Sequence, residues 1–138
     1  MTIAEYISEL RHNPAFMDNV TSWHVMPARR AVYGEFPPEL DGRIVGTLKR
    51  RGIGRPYIHQ SQAIRAALAG QDFVVVTPMA SGKTLCYSVP VLQSILTDEA
   101  SRALYLFPTK ALSSDQVAEL YSMIQDMGVG IKAYTYDG

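Results

Sequence analysis

Apolar positions recur at helical spacing from the N-terminus. Ile3, Tyr6, Ile7 and Leu10 share one stripe behind a Thr2-Ile3-Ala4-Glu5 capping box, which predicts a short helix. Asn13-Pro14 ends it, because the residue before a proline is pushed out of the helical region. Residues 14–38 hold no clear period, and Trp23, Val25, Tyr33 and Phe36 anchor what is predicted to be an extended arm. Pro37-Pro38 then leads into a helix carrying Leu40, Ile44, Val45 and Leu48, closed by Gly52. From Pro56 onward helices and apolar runs alternate. A helix from Gln60 to Ala69 is closed by Gly70 and followed by a strand pattern, Phe73-Val74-Val75-Val76. A loop with Pro78 and Gly82 opens a second helix reaching Leu96, in which Pro90 is predicted to introduce a kink. A second strand pattern, Ala103-Leu104-Tyr105-Leu106-Phe107, precedes a third helix with Val117, Leu120, Ile124 and Met127, closed by Gly128. A last strand is predicted over residues 131–136. Strands that are continuously apolar and alternate with helices predict an α/β fold, with a parallel sheet covered on both faces.

Composition narrows the class without naming a partner. The 138 residues are 47% hydrophobic and 19% charged, which excludes a wholly disordered or collagen-like chain. No apolar run approaches the roughly 20 residues of a membrane-spanning helix, and no signal peptide is apparent, so a cytoplasmic location is expected. The single cysteine, Cys86, excludes an internal disulfide and a multi-cysteine zinc site within these residues. Lys+Arg and Asp+Glu balance at 13 each, but Lys49, Arg50, Arg51 and Arg55 cluster. On charge alone, a solvated helix end with cations at the C-terminal dipole is favoured over a nucleic-acid contact.

The chemistry concentrates between the first strand pattern and the helix after it, in Thr77-Pro78-Met79-Ala80-Ser81-Gly82-Lys83-Thr84. Gly82-Lys83-Thr84 matches the end of a G-x-x-x-x-G-K-[ST] phosphate loop, with Thr77 in place of the first glycine. Such a loop turns backbone N–H groups toward phosphate oxygens, and the following helix N-terminus adds a positive dipole. Lys83 would supply a point charge to the β- and γ-phosphates, and the Thr84 hydroxyl could ligate Mg²⁺. A chance G-K-T is the competing explanation, and the strand–loop–helix context argues against it. Cys86 and Met79 need no chemical role.

Three segments in order resemble the first motor domain of superfamily-two DEAD/DEAH-box helicases. Tyr57-Ile58-His59-Gln60-Ser61-Gln62-Ala63-Ile64 is similar to the adenine-reading Q motif, and the loop 77–84 with Leu85 to Pro90 is similar to motif I. Residues 106–116, which include Pro108-Thr109-Lys110-Ala111-Leu112 and end at Gln116, are similar to motif Ia, which grips a strand backbone. Within the superfamily, Ala80-Ser81-Gly82-Lys83 and the Pro108–Leu112 run are most similar to the mitomycin-repair (MrfA-like) DNA helicase branch. The arm residues Trp23-His24, Pro27, Ala28 and Arg29 and the final Tyr136-Asp137-Gly138 also look like that branch.

The resemblance implies a partial RecA-like P-loop sheet over residues 56–138, preceded by an N-terminal helical extension and arm over 1–55. It implies ATP and Mg²⁺ as cofactors. Gln60 would pair both N6 and N7 of adenine, and Tyr57 would either stack on the base or pack as a buried aromatic. His59 and Gln62 are expected to be structural. Residues Thr77, Pro78, Met79, Ala80, Ser81, Gly82, Lys83 and Thr84 would hold the phosphates, with Lys83 and Thr84 catalytic and Thr84 on the metal. Pro108, Thr109 and Lys110 would contact nucleic acid, single-stranded DNA in particular, with Thr109 capping the third helix. The carboxylate pair of a D-E-x-H motif and a second RecA-like domain with its arginine finger are absent from these residues. An N-terminal piece of a longer helicase is therefore expected, inactive in isolation. The alternatives are a piece of another P-loop NTPase, such as a kinase or transport ATPase, and a non-catalytic nucleotide-binding module.

Overall fold

The computed structural model describes residues 1–28, 30–77 and 81–136. It divides the chain into two compact units, Met1–Arg30 and Ala31–Gly138. In the first, α1 (Ile3–His12) begins with the predicted box: Thr2 Oγ1 accepts from Glu5 N, and Glu5 Oε2 accepts from Thr2 N at 2.6 Å. Asn13 leaves the helical region as expected, but its side chain then caps a second helix, α2 (Pro14–Met17), by accepting from Phe16 N. The start of the expected arm is therefore helical, because Asn13 with a proline after it is a strong helix start. Trp23 is half-buried beneath the Arg11 guanidinium, 5.2 Å from its ring centroid.

The second unit holds α3 (Gly42–Arg50), α4 (Ile58–Leu68), α5 (Thr84–Thr97) and α6 (Lys110–Met127). Their apolar stripes converge on one core in which Ile44, Leu48, Ile64, Val89, Leu92, Met123 and Ile124 are buried. Gly52, Gly70 and Gly128 close α3, α4 and α6 in the left-handed region, φ +84, +70 and +67, which side-chain-bearing residues rarely adopt. Pro90 is buried inside α5. Burial pushes the Cys86 thiol above its ordinary value, as suits a small packing residue. No helix of the described residues is long and apolar enough to cross a membrane.

The predicted sheet is not formed among the described residues. Segments 73–76, 103–107 and 131–136 carry no ladder, and the bridge present is an antiparallel one between Tyr33 and Tyr57. A parallel neighbour must lie about 4.8 Å away along each strand, and the described residues supply none to these segments. They nevertheless show strand-like alternation. Val75, Tyr105, Phe107, Ile131 and Ala133 are half-buried, while Val74, Val76, Leu104, Leu106, Tyr134 and Tyr136 are 83–98% exposed. The cover expected on both faces is thus present on one. An open groove of about 1190 Å³, lined by Leu92, Ile95, Leu106, Ile131 and others, remains beside the second and third segments.

The arm does find its partner. Gly34 N donates to Pro56 O at 2.9 Å and Ile58 N to Val32 O at 2.8 Å, so residues 32–34 run along the start of α4. A Cβ on Gly34 would meet Ser61 Cβ at 2.6 Å, which explains a glycine there. Of the basic cluster, Lys49, Arg50 and Arg55 stay exposed, as expected of a solvated helix end, while Arg51 turns toward α6. Arg51 pairs with Glu119 at 2.8 Å and Asp126 at 2.6 Å and donates to Ser122, while Arg50 donates to the Asp126 carbonyl near the end of α6.

Asp41 caps α3 and receives the Arg43 side chain at 2.7 Å and its backbone N–H at 2.8 Å, which together hold the carboxyl down at about 2. A carboxyl depressed on folding stabilises the fold above its unfolded value of about 4 and loses that contribution as pH falls toward the folded value. The urea midpoint of Asp41→Asn in the full-length protein should therefore trail wild type at pH 7, with the gap closing below about pH 4. A gap independent of pH would show that the charge contributes nothing.

Candidate functional site

The loop between the first extended segment and α5 is held from both sides by short polar contacts. At its C-terminal end Gly82 adopts φ +69, and a Cβ there would meet Gln60 Nε2 at 2.6 Å. The backbone conformation calls for glycine, and a side chain there would also displace the Gln60 amide. Lys83 curls back across the loop. Its ammonium donates to Thr77 O at 3.1 Å, to Thr77 Oγ1 at 3.2 Å and to Ser81 Oγ at 3.4 Å. Thr77 and Ser81 also hydrogen-bond to each other through their hydroxyls. The threonine in place of the first loop glycine therefore adds a side-chain acceptor for the lysine at the start of the turn. Pro78, Met79 and Ala80 lie outside the described residues.

Two α4 side chains grip the loop's carbonyls. Gln60 Nε2 donates to Gly82 O at 2.8 Å, and His59 Nε2 donates to Ser81 O at 2.9 Å. Gln60 is 3% exposed, and its Oε1 accepts from Tyr57 N at 2.8 Å, which caps α4 from within. That cap explains why α4 starts at Ile58, before the expected Gln60. The amide keeps one N–H and one lone pair beyond these two bonds. Tyr57 stacks on Tyr33 at 5.3 Å and on His59 at 5.8 Å between centroids, so it belongs to an aromatic row at the edge of the loop. His59, assigned only a structural part on sequence, proves to be a direct holder of the loop. Its signal was adjacency to Gln60 in the first turn of a helix facing the glycine.

Thr84 opens α5, and its hydroxyl donates to Gln116 Oε1 on α6 at 2.9 Å; Tyr87 donates to the same oxygen at 2.7 Å. Sequence reading assigned Gln116 no role. Its position two helical turns after Thr109 puts it on the same face of α6 as the helix cap. Thr109 caps α6 as expected, with Oγ1 accepting from Leu112 N at 3.2 Å. Pro108, Thr109 and Lys110 are all exposed. Gln116 thus ties the start of α5 to α6, the helix that Thr109 caps.

The residues present suit a triphosphate with a hard cation. The turn at Gly82 has no room for a side chain, a lysine ammonium is held at the loop mouth, and a threonine hydroxyl stands at the helix N-terminus with its hydrogen already committed. An ATP-binding loop of this kind would take its phosphates on backbone N–H groups and Lys83, and its cation on Thr84.

Comparison with known proteins agrees with this chemistry. The chain is 50% identical over 137 residues to the "Uncharacterized ATP-dependent helicase YprA" of Bacillus subtilis (strain 168), covering 99% of this chain and 18% of that protein. It is 33% identical over 142 residues to the "ATP-dependent helicase hrq1" of Schizosaccharomyces pombe, covering 99% of this chain and 13% of the relative. Among solved structures it is similar to one titled "Crystal Structure of DUF1998 helicase MrfA bound to DNA and AMPPNP", with TM-score 0.87 and 49% identity over 100% of this chain and 19% of that one. These 138 residues therefore span under a fifth of each of these three proteins. The model of the DEAD/DEAH box helicase family matches residues 57–138, from the aromatic row at Tyr57 through the loop, α5 and α6, and the chain belongs to that family.

Proposed function

We propose that residues 1–138 contribute nucleotide- and strand-binding elements to an ATP-dependent DNA helicase. Residues 56–138 would be the start of its first RecA-like motor domain, and 1–55 an extension and arm. The observation that carries this reading is the Lys83 ammonium held 3.1 Å from Thr77 O across the glycine turn that opens α5. The names of the relatives support it, since one is an ATP-dependent helicase and the solved MrfA is described as bound to DNA and AMPPNP. In this reading segments 73–76, 103–107 and 131–136 join a larger parallel sheet, with the strand bearing the metal carboxylates running among them. A kinase or transport ATPase does not account for the family match.

The division of labour follows from the geometry. Lys83 exchanges its Thr77 and Ser81 acceptors for phosphate oxygens, a trade of neutral for charged acceptors that favours binding. Backbone N–H groups at the start of α5 and in the loop receive the remaining phosphate oxygens. Thr84 would hold Mg²⁺, which when bound neutralises charge on the phosphates. Gln60 offers its spare N–H to adenine N7 and its spare lone pair to N6, a pairing that guanine's O6 opposes. Thr109 and Lys110 at the first turn of α6 hold the backbone of single-stranded DNA without reading bases. The chemistry itself would need an arginine finger and a second RecA-like domain from elsewhere in the protein.

The full-length protein should hydrolyse ATP faster with single-stranded DNA than without it. Equal rates would overturn the strand-binding assignment. In Gln60→Ala the preference for ATP over GTP should fall about tenfold or more, the value of a good bidentate amide–adenine pair. Overall affinity should fall as well, because Gly82 O loses its donor. Retained preference would move adenine recognition to other residues, the arm around Tyr33 first among them.

A further inference from the structure

Gln116 has a feature that a simple cross-helix tie does not require. Its Oε1 receives two hydroxyls at once, from Thr84 at 2.9 Å and from Tyr87 at 2.7 Å. A carbonyl oxygen has two lone pairs, so its accepting capacity is filled and the amide is pinned. A threonine hydroxyl carries a single hydrogen and two lone pairs. With that hydrogen committed to Gln116, the oxygen presents only lone pairs in every other direction. Hard cations are bound through such oxygen lone pairs, and a hydrogen turned toward the cation would oppose binding.

We propose that Gln116 is a positioning residue for the metal–nucleotide complex. From α6 it sets the rotor of the Thr84 hydroxyl so that the oxygen is ready for the cation, and Tyr87 holds the amide in register. The proposal rests on Thr84 being the magnesium ligand. It assigns to motif Ia's helix a part in the nucleotide site, because the group that orients Thr84 sits on the helix that Thr109 caps.

The test uses the full-length protein and a fluorescent N-methylanthraniloyl ATP, titrated in EDTA and then against MgCl₂. Gln116→Leu removes the acceptor. The Mg²⁺ concentration for half-maximal tightening should rise about five- to tenfold, the scale of one lost hydrogen bond, while affinity in EDTA stays within about twofold. Gln116→Glu keeps an acceptor for both hydroxyls and should restore the Mg²⁺ response to within about twofold of wild type. Thr84→Val should shift it at least as far as Gln116→Leu. An unshifted Thr84→Val would overturn the ligand assignment and the proposal with it. A shifted Thr84→Val beside an unshifted Gln116→Leu would leave the ligand assignment standing and remove the role of Gln116. Equal losses in EDTA and in Mg²⁺, unrelieved by Gln116→Glu, would make Gln116 a packing tie and overturn the proposal. Should Gln116→Leu fail to fold, Gln116→Asn, whose shorter amide cannot reach Thr84, replaces it in the same comparison.

Discussion

Replacing Lys83 by alanine in the full-length protein is expected to weaken ATP binding about 10- to 100-fold and to abolish turnover, the scale of losing charge-assisted hydrogen bonds to phosphate. The ammonium is the positive side chain that reaches into the loop turn, at 3.1–3.4 Å from acceptors on Thr77 and Ser81. Without it, the phosphates would be held by backbone N–H groups and the helix dipole, which bind but do not follow charge developing on the transferred group. Fold stability should change little, because the bonds lost from Thr77 and Ser81 lie in a partly exposed loop, and the two hydroxyls still bond to each other. Isothermal titration with ATP and a steady-state ATPase assay check this result. Unchanged affinity together with unchanged turnover would mean that 77–84 is not the phosphate site.

Residues 1–138 purified on their own are expected to self-associate, to bind nucleotide weakly and to show no DNA-stimulated ATPase. Val74, Val76, Leu104, Leu106, Tyr134 and Tyr136, on the three segments 73–76, 103–107 and 131–136, are each 83–98% exposed. The backbone of those segments has no ladder partner among the described residues. Unpaired strand-like segments with exposed apolar side chains template pairing with further copies. Sedimentation velocity should show species larger than a monomer, and a hydrophobic dye should bind strongly. Leu104→Lys with Leu106→Lys should reduce both effects, since charges on an exposed strand oppose edge pairing. A monodisperse monomer that unfolds cooperatively, binds no dye and hydrolyses ATP in response to DNA would overturn the expectation.

The helices were legible because their signals are local. The Thr2–Glu5 box, the Thr109 cap and the glycines at 52, 70 and 128 each act within a turn or two of the residues they serve. The candidate phosphate loop is a local pattern too, since Gly82, Lys83 and Thr84 are adjacent and the apolar runs on either side supply the context. Even the missed α2 was a local matter, an asparagine cap read as a stop.

What only the tertiary structure decided involves partners far apart in the chain. Arg51 looked like a solvated cation until α6 brought Glu119 and Asp126 against it. Gln60, besides the adenine contact proposed for it, caps its own helix and holds Gly82 O. The bonds that His59 and Gln116 make depend on Ser81 and Thr84, partners on other elements and far along the chain. The strand patterns at 73–76, 103–107 and 131–136 are legible in the sequence, and the segments carry a partial alternation in burial without forming strands among the described residues. Whether they pair was not legible. A strand's conformation is a property of its own residues, but a sheet exists only where a neighbouring chain segment meets its backbone hydrogen bonds about 4.8 Å away.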